Sequence, residues 1–196
     1  MLHSFDIGSD GAYPEASLIN VDGTLFGTTN QGGTYGLGTV YSITTSGTET
    51  ILHSFSSGDD GIYPLGRLKK VGSTLYGTTQ FGGANGQGTV FSITPNGTEK
   101  VLYSFGNVGD AREPSAGLEY ANGRLYGTTY FGGAYGGGTV FSIELNGGSE
   151  TVFHSFGSGG DGSHPDANLK NVNGTLYGTT EMGGTYGGGT VFSITR

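Results

Sequence analysis

Four aspartates recur at one position of this sequence: Asp10, Asp60, Asp110 and Asp161 each stand 15 residues before the leucine of a Leu-aromatic-Gly-Thr-Thr string. Carboxylates so placed could hold a cation, act as general acids or bases, or accept hydrogen bonds from a turn. Calcium needs several converging oxygens. Asp59 beside Asp60 and Asp6 near Asp10 offer a second acid, but the third and fourth copies do not. The aspartate precedes glycine in three of the four copies, a setting in which its side chain caps a turn. Turn capping is therefore the expected role, and neither a metal nor a cofactor is expected. Tyr13, Tyr63, Glu113 and His164 share a second recurring position, and Tyr35, Asn85, Tyr135 and Tyr186 a third. Tyrosine offers rigid amphipathic area that can stack on a sugar ring or close over a glycine backbone. The candidate ligand-binding set is Asp10, Tyr13, Tyr35, Asp60, Tyr63, Asp110, Tyr135, Asp161, His164 and Tyr186.

Catalytic chemistry finds less support. His3, His53 and His154 occupy one repeated position, with Tyr103 in the third copy. A type that recurs in this way is expected to pack beneath a neighbour and hydrogen-bond there. A nucleophile, base and orienting group cannot be assembled from unique residues. The strongest break in the symmetry, Gly109 to Pro114 with Arg112 and Glu113, reads as drift. The chain is expected not to be an enzyme. The alternative is a polysaccharide hydrolase or lyase using His164 with Asp161 or Asp166.

These residues ride on an internal repeat. Leu-Phe/Tyr-Gly-Thr-Thr begins at Leu25, Leu75, Leu125 and Leu176, giving periods of 50, 50 and 51. Gly-Thr-Val-aromatic-Ser-Ile follows from Gly38, Gly88, Gly138 and Gly189, and a single proline recurs at Pro14, Pro64, Pro114 and Pro165. Within the first unit, turn residues cut out four strands: Ala16 to Val21, Thr24 to Thr29, Gly38 to Thr44 and Glu49 to Phe55. Asp22-Gly23, Asn96-Gly97, Asn122-Gly123 and Asn173-Gly174 suit tight hairpins with positive φ. No stretch has useful helical periodicity, so the fold class is all-β. Four short antiparallel strands per repeat of this length predict a β-propeller, with units of about 6–55, 56–105, 106–156 and 157–196, residues 1–5 completing a last blade.

Composition narrows the class. Glycine supplies 42 of 196 residues and charged residues 12%, against about 7% and 25% in an average protein. The 12 tyrosines and 11 phenylalanines are too many for a disordered tail. Collagen would need glycine at every third position. With no cysteine there is no disulfide framework and no thiolate metal site. A net charge of −8 and only a short basic cluster, Arg67, Lys69 and Lys70, argue against a nucleic-acid partner. No apolar run is long enough to insert in a membrane as a helix. Met1 leads directly into repeat sequence, without a signal-peptide pattern.

The strand order and the doublets Gly32-Gly33, Gly82-Gly83, Gly132-Gly133 and Gly183-Gly184 resemble a kelch blade, with Phe5, Phe55, Phe105 and Phe156 near the place of the kelch tryptophan. The longer string Leu-Tyr-Gly-Thr-Thr-x-x-Gly-Gly-x-x-Gly-x-Gly-Thr-Val-Phe-Ser-Ile is similar to the bacterial GloVer tandem repeat, and Phe26 and Tyr41 are its mild departures here. That resemblance implies propeller arrays in exported or surface-anchored proteins. It carries no catalytic residues.

The first residues (Leu2 to Phe5) read as strand four and the last (Val191 to Thr195) as strand three, so each end supplies what the last blade lacks. One closure is a four-bladed ring within the chain. The other is an eight-bladed ring shared by two copies with twofold symmetry. With sheets ~10 Å apart at the axis and strands ~4.8 Å apart, four blades leave gaps of about 30 Å at the rim and eight leave about 20 Å. A chain without tryptophan and rich in Gly, Ser and Thr fills the narrower wedge better, so the homodimer is the preferred expectation. Antiparallel order gathers the long loops, and with them the ten candidate residues, on one face. A non-catalytic scaffold that binds a glycan or protein there is the functional expectation. A purely structural segment of a surface array is the other alternative.

Overall fold

The structure is a computed structural model and describes residues 1–6, 8–107 and 109–195. All regular structure among these residues is β. Three sheets have four antiparallel strands in sequential order: Ile19–Val21, Thr24–Thr29, Thr39–Thr44 and Glu49–Ser54; Lys69–Val71, Thr74–Thr79, Thr89–Ile93 and Glu99–Ser104; Glu119–Ala121, Arg124–Thr129, Thr139–Glu144 and Thr151–Ser155. The fourth sheet has three: Lys170–Val172, Thr175–Thr180 and Thr190–Thr195. The first strands are shorter than expected. The segments before them, 15–17, 65–67, 115–117 and 166–168, instead line one shared cavity of about 270 Å³. Backbone groups there bond across blades: Thr78 Oγ1 donates to Ala116 O (2.9 Å) and Gly117 N to Asn168 Oδ1 (2.6 Å). The four first strands are thus innermost, around a common axis.

Local chemistry explains the strand ends. Asp22-Gly23, Asn122-Gly123 and Asn173-Gly174 have positive φ at both positions, the two-residue hairpin that matches strand twist. At Asn96-Gly97 only the glycine is left-handed (φ 90°). Gly97 N donates to Thr94 O and Thr94 N to Thr98 O, so this is a wider hairpin than expected. The outer strand carries one extra residue relative to its partner, at Leu52, Leu102 and Phe153. Such a bulge shifts the alternation of faces, and it aims the following His53, Tyr103 or His154 toward the loop.

Each sheet has two unlike apolar faces. One presents Leu68, Leu75, Phe91 and Ile93, and it packs on Val21, Phe26, Val40, Leu52 and Phe55 of the preceding blade. The same pairing joins the second blade to the third and the third to the fourth. A ring pair marks each joint: Phe55 on Phe91 at 5.2 Å and Phe105 on Phe141 at 5.0 Å, both edge to face, and Phe156 on Phe192 at 4.9 Å, tilted. Glycines 27, 77, 127 and 178 lie beneath the third-strand ring of their own blade. A Cβ on Gly127 would meet Phe141 Cζ at 2.6 Å and Leu118 Cδ2 at 3.0 Å.

The array is open. Residues 1–6 join no strand ladder and lie against the first blade, with Leu2 O beside Gly47 as Leu52 O is beside Gly97. Phe5 stands on Tyr41 at 5.0 Å, edge to face. This segment therefore occupies the place of a preceding blade's outer strand, and closure of a four-bladed ring within the chain is not made. Leu18 is 46% exposed where Leu118 is 0%, and Val191 is 80% exposed where Val40, Val90 and Val140 are 0%.

Overpacking of this kind costs about 1–3 kcal/mol. Gly127→Ala is accordingly expected to lower the free energy of unfolding by that amount in urea titrations, while Gly160→Ala, with open space around it and no left-handed φ, leaves stability unchanged.

Candidate functional site

The long loops do converge on one face. Gly61–Ile62 pairs with Phe81–Gly82, Ala111–Arg112 with Phe131–Gly132, and Gly162–Ser163 with Met182–Gly183. Each blade-to-blade loop is thereby tied to the glycine-rich loop between strands two and three. Tyr13, Tyr63, Glu113 and His164 all have φ near +58° (57–58°), although each is non-glycine and precedes proline, a strained state. Two hydrogen bonds hold it. Glu113 N donates to Gln87 O of the preceding blade (2.9 Å), and Tyr130 N of its own blade donates to Glu113 O (3.1 Å).

The four aspartates cap this loop, as expected. Asp60 accepts from Ser56 N (2.9 Å) and Gly61 N (2.8 Å), and its Oδ2 lies 3.1 Å from His53 Nε2. Asp110 accepts from the Tyr103 hydroxyl (2.8 Å), Gly106 N and Ala111 N. Asp10 pairs with His3 at 3.1 Å and Asp161 with His154 at 2.7 Å. The repeated histidines stand edge-on to their phenylalanines, His53 on Phe55 at 4.8 Å, in the packed and hydrogen-bonded state expected of them.

A third group, not singled out in the sequence, completes each cluster. Glu49 and Glu99 open the outer strand of the next blade, and Glu150 immediately precedes it. The donor atoms of Glu49 lie within 4.8 Å of His3 and Asp10, and those of Glu99 within 4.8 Å of His53 and Asp60. One oxygen of each glutamate is buried without a hydrogen-bond partner. The signal was present, since Gly47-Thr48-Glu49, Gly97-Thr98-Glu99 and Gly148-Ser149-Glu150 recur. Nothing in the strand pattern, however, ties a glutamate to a histidine one blade back.

Burial sets the electrostatics. Glu99 is pushed up to about 7, first by burial and then by Asp60, with His53 opposing. Glu150 is pushed up to about 9 by burial and by its hydrogen bond to Asp110. Burial also works to raise Asp60 and Asp110, but their hydrogen bonds carry both below the usual carboxylate range. Burial works to lower His53, and Asp60 with Glu99 carries it above the usual value.

The remaining candidates fall into two groups. Tyr13, Tyr35, Tyr135 and Tyr186 are exposed. Tyr63 is half-buried, edge-on to Phe81 at 6.3 Å, and His164 is half-buried against Tyr130 and Phe131 with Nδ1 at 3.1 Å from Ser163 Oγ. Asp161 is engaged by His154, and Asp166 hydrogen-bonds Ser115 of the neighbouring blade. His164, Asp161 and Asp166 each keep a different partner.

A family model for the Gloeobacter/Verrucomicrobia repeat matches residues 1–192. The chain belongs to the Gloeobacter/Verrucomicrobia repeat family. No curated protein matches this repeat chain in sequence. Among solved structures, it is similar to a chain of the nidogen/laminin complex, at TM-score 0.55 and 14% identity over 89% of this chain and 60% of that one. It is also similar to TolB from Acinetobacter baumannii, at TM-score 0.56 and 11% identity over 88% and 38%. The repeat chain thus spans less than two thirds of either structure. At such identity they establish a shared propeller-like fold and nothing of function.

The raised carboxyl of Glu150 sets a sign. Its folded-state value of about 9 exceeds the usual 4.5, so its contribution to stability is fully present below pH 4.5 and is lost as pH rises toward 9. Thermal unfolding of Glu150→Gln is expected to match the parent at pH 4.5 and to exceed it by several degrees at pH 9. An identical fall of Tm with pH in both proteins would be the contrary result.

Proposed function

We propose that this repeat protein is a non-catalytic binding scaffold that recognises a glycan or protein on its loop-rich face, within an eight-bladed ring made by two copies. The carrying observation for binding is the set of exposed tyrosines, Tyr13, Tyr35, Tyr135 and Tyr186, displayed on that face. The polar groups beside them are engaged in capping the loops, which leaves aromatic stacking as the available recognition chemistry. Repetition supplies several equivalent weak contacts, and these add through avidity.

The ring reading rests on complementarity at the open ends. The trailing face of the last blade exposes Val172, Tyr177 and Val191, the repeat equivalents of Val21, Phe26 and Val40, which pack on Leu68, Leu75, Phe91 and Ile93 at the first joint. The leading face of the first blade presents the matching Leu18, Leu25, Tyr41 and Ile43, lined by residues 1–5 in the outer-strand place. Polar and glycine contacts match as well. Gly38, Gly88 and Gly138 abut the proline of the next blade, whereas Gly189 has none beside it. Tyr63, Glu113 and His164 donate N–H to the preceding blade, and Tyr13 stands in the same position at the open end. A second copy answers each requirement at once, and the twofold axis repeats the joint.

Two measurements test this. In sedimentation velocity the protein is expected to run as a dimer and Val191→Asp as a folded monomer. A parent that is monomeric at every concentration would remove the ring. On a glycan array and in pull-downs, binding is expected for the parent and is expected to be lost when Tyr35, Tyr135 and Tyr186 are all alanine. Absence of any ligand at millimolar concentration would remove the binding role.

A further inference from the structure

We infer that the protein contains two built sites for a divalent transition-metal ion of the zinc class, one formed by His53, Asp60 and Glu99 at the joint of the first two blades and one by His3, Asp10 and Glu49 where the N-terminal segment packs on the first blade. Each triad offers one imidazole nitrogen and two carboxylate oxygens, mutually within 4.8 Å. Around an ion bound at 2.0–2.1 Å in tetrahedral geometry, donors stand about 3.3 Å apart. The separations from His3 Nε2 to Asp10 Oδ2 and Glu49 Oε2 are 3.1 Å and 3.7 Å. An ion needs little rearrangement to bind. It takes the place of the proton between Nε2 and the aspartate, and Nδ1 retains the ring proton. Solvent reaches the cluster, since the His3 and Asp10 side chains are 21% and 26% exposed.

An independent observation points the same way. Glu49 is only 10% exposed, and its Oε1 is buried with no hydrogen-bond partner, as is that of Glu99. A carboxylate held out of water beside an imidazole and a second carboxylate is stabilised by taking up a proton or by a positive partner, and a bound cation would serve all three groups at once. The aspartate is oriented for this role, because Asp60 Oδ1 is held by Gly61 N and Oδ2 by Ser56 N. Outer-shell hydrogen bonds of this kind fix a ligating group in place. One imidazole with two carboxylates suits zinc or manganese better than calcium, which takes six or more oxygens.

The joint between the second and third blades is a natural contrast. Tyr103 replaces the histidine there, its hydroxyl donates to Asp110, and Glu150 also hydrogen-bonds Asp110. Protons fill the place that the other two clusters leave for an ion. An ion at the His53 site would tie the outer strand of one blade to that of the next through the loop between them, and this is independent of whether two copies form a ring.

The test is titration of the purified full chain with ZnCl₂, followed by calorimetry and by thermal unfolding. Two ions per chain are expected, with a Tm rise of several degrees at saturation and no comparable effect of CaCl₂. His53→Tyr reproduces the arrangement at Tyr103. It is expected to reduce the stoichiometry to one, and Glu99→Gln to weaken that site about tenfold or more. No heat and no Tm change in excess ZnCl₂ would overturn the inference. So would an unchanged stoichiometry in both variants, which would place any bound zinc elsewhere, or an equal response to CaCl₂.

Discussion

A twisted sheet of three or four strands has two sides, and in each of these sheets both sides are apolar and unlike one another. Leu125, Phe141 and Ile143 project to one side of the third blade and Tyr126 and Val140 to the other, all of them buried. A sheet of this kind cannot shield itself. Burying a side chain of this size contributes about 1.5–3 kcal/mol, and it does so only where another sheet of matching relief covers it. The neighbour is therefore part of each blade's core. That requirement fixes the radial order and the sequential topology, and it leaves the two terminal faces as the places where the array is incomplete.

The small residues follow from the same demand. Phe91 lies across Gly77 of its own sheet and meets Phe55 of the preceding blade edge to face, so one ring serves both the strand pair and the joint. Gly88, left-handed at φ 100°, leaves room for Pro114 of the following blade, and the residue before that proline is itself left-handed and bonded to both blades. Inside, Thr79 and Thr89 share a hydrogen bond at 2.8 Å and Thr79 donates to Phe81 O, which satisfies buried hydroxyls where strand two leaves the ladder. Glycine, proline and threonine thus recur for geometric reasons, and their repetition carries no information about ligands.

Much of this was legible in the sequence because it is local or periodic. Period, the limits of the second, third and outer strands, the Asp22-Gly23 type of hairpin and the gathering of loops on one face all follow from spacing and turn chemistry, whereas the shortening of the first strands does not. The capping role of Asp60 followed from its glycine neighbour. Other features lay beyond such reasoning. The hairpin at Asn96-Gly97 depends on how Thr94 and Thr98 bond across it, a matter of one backbone dihedral. The bulge at Leu52 leaves no mark in the alternation of residue types. Glu99 meets His53 only after two sheets have packed, and 46 positions of sequence separate them. The docking of Leu2 and Phe5 on the first blade is likewise tertiary.

Repetition also constrains what kind of function the architecture can support. A group that recurs in every blade has the same neighbours in every blade, so it is either part of the joint or one of several equivalent contacts with solvent. His53, Asp60 and Glu99 are of the first kind, because each is directed into the seam between blades. Tyr35, Tyr135 and Tyr186 are of the second, because nothing in their own loops covers them. The two kinds are mechanically linked through the loop that Asp60 caps, since that loop carries Tyr63 and, through the Gly61–Ile62 ladder, positions the glycine-rich loop opposite. The seam and the exposed face are thus joined by one capped loop, while the groups that line each remain separate.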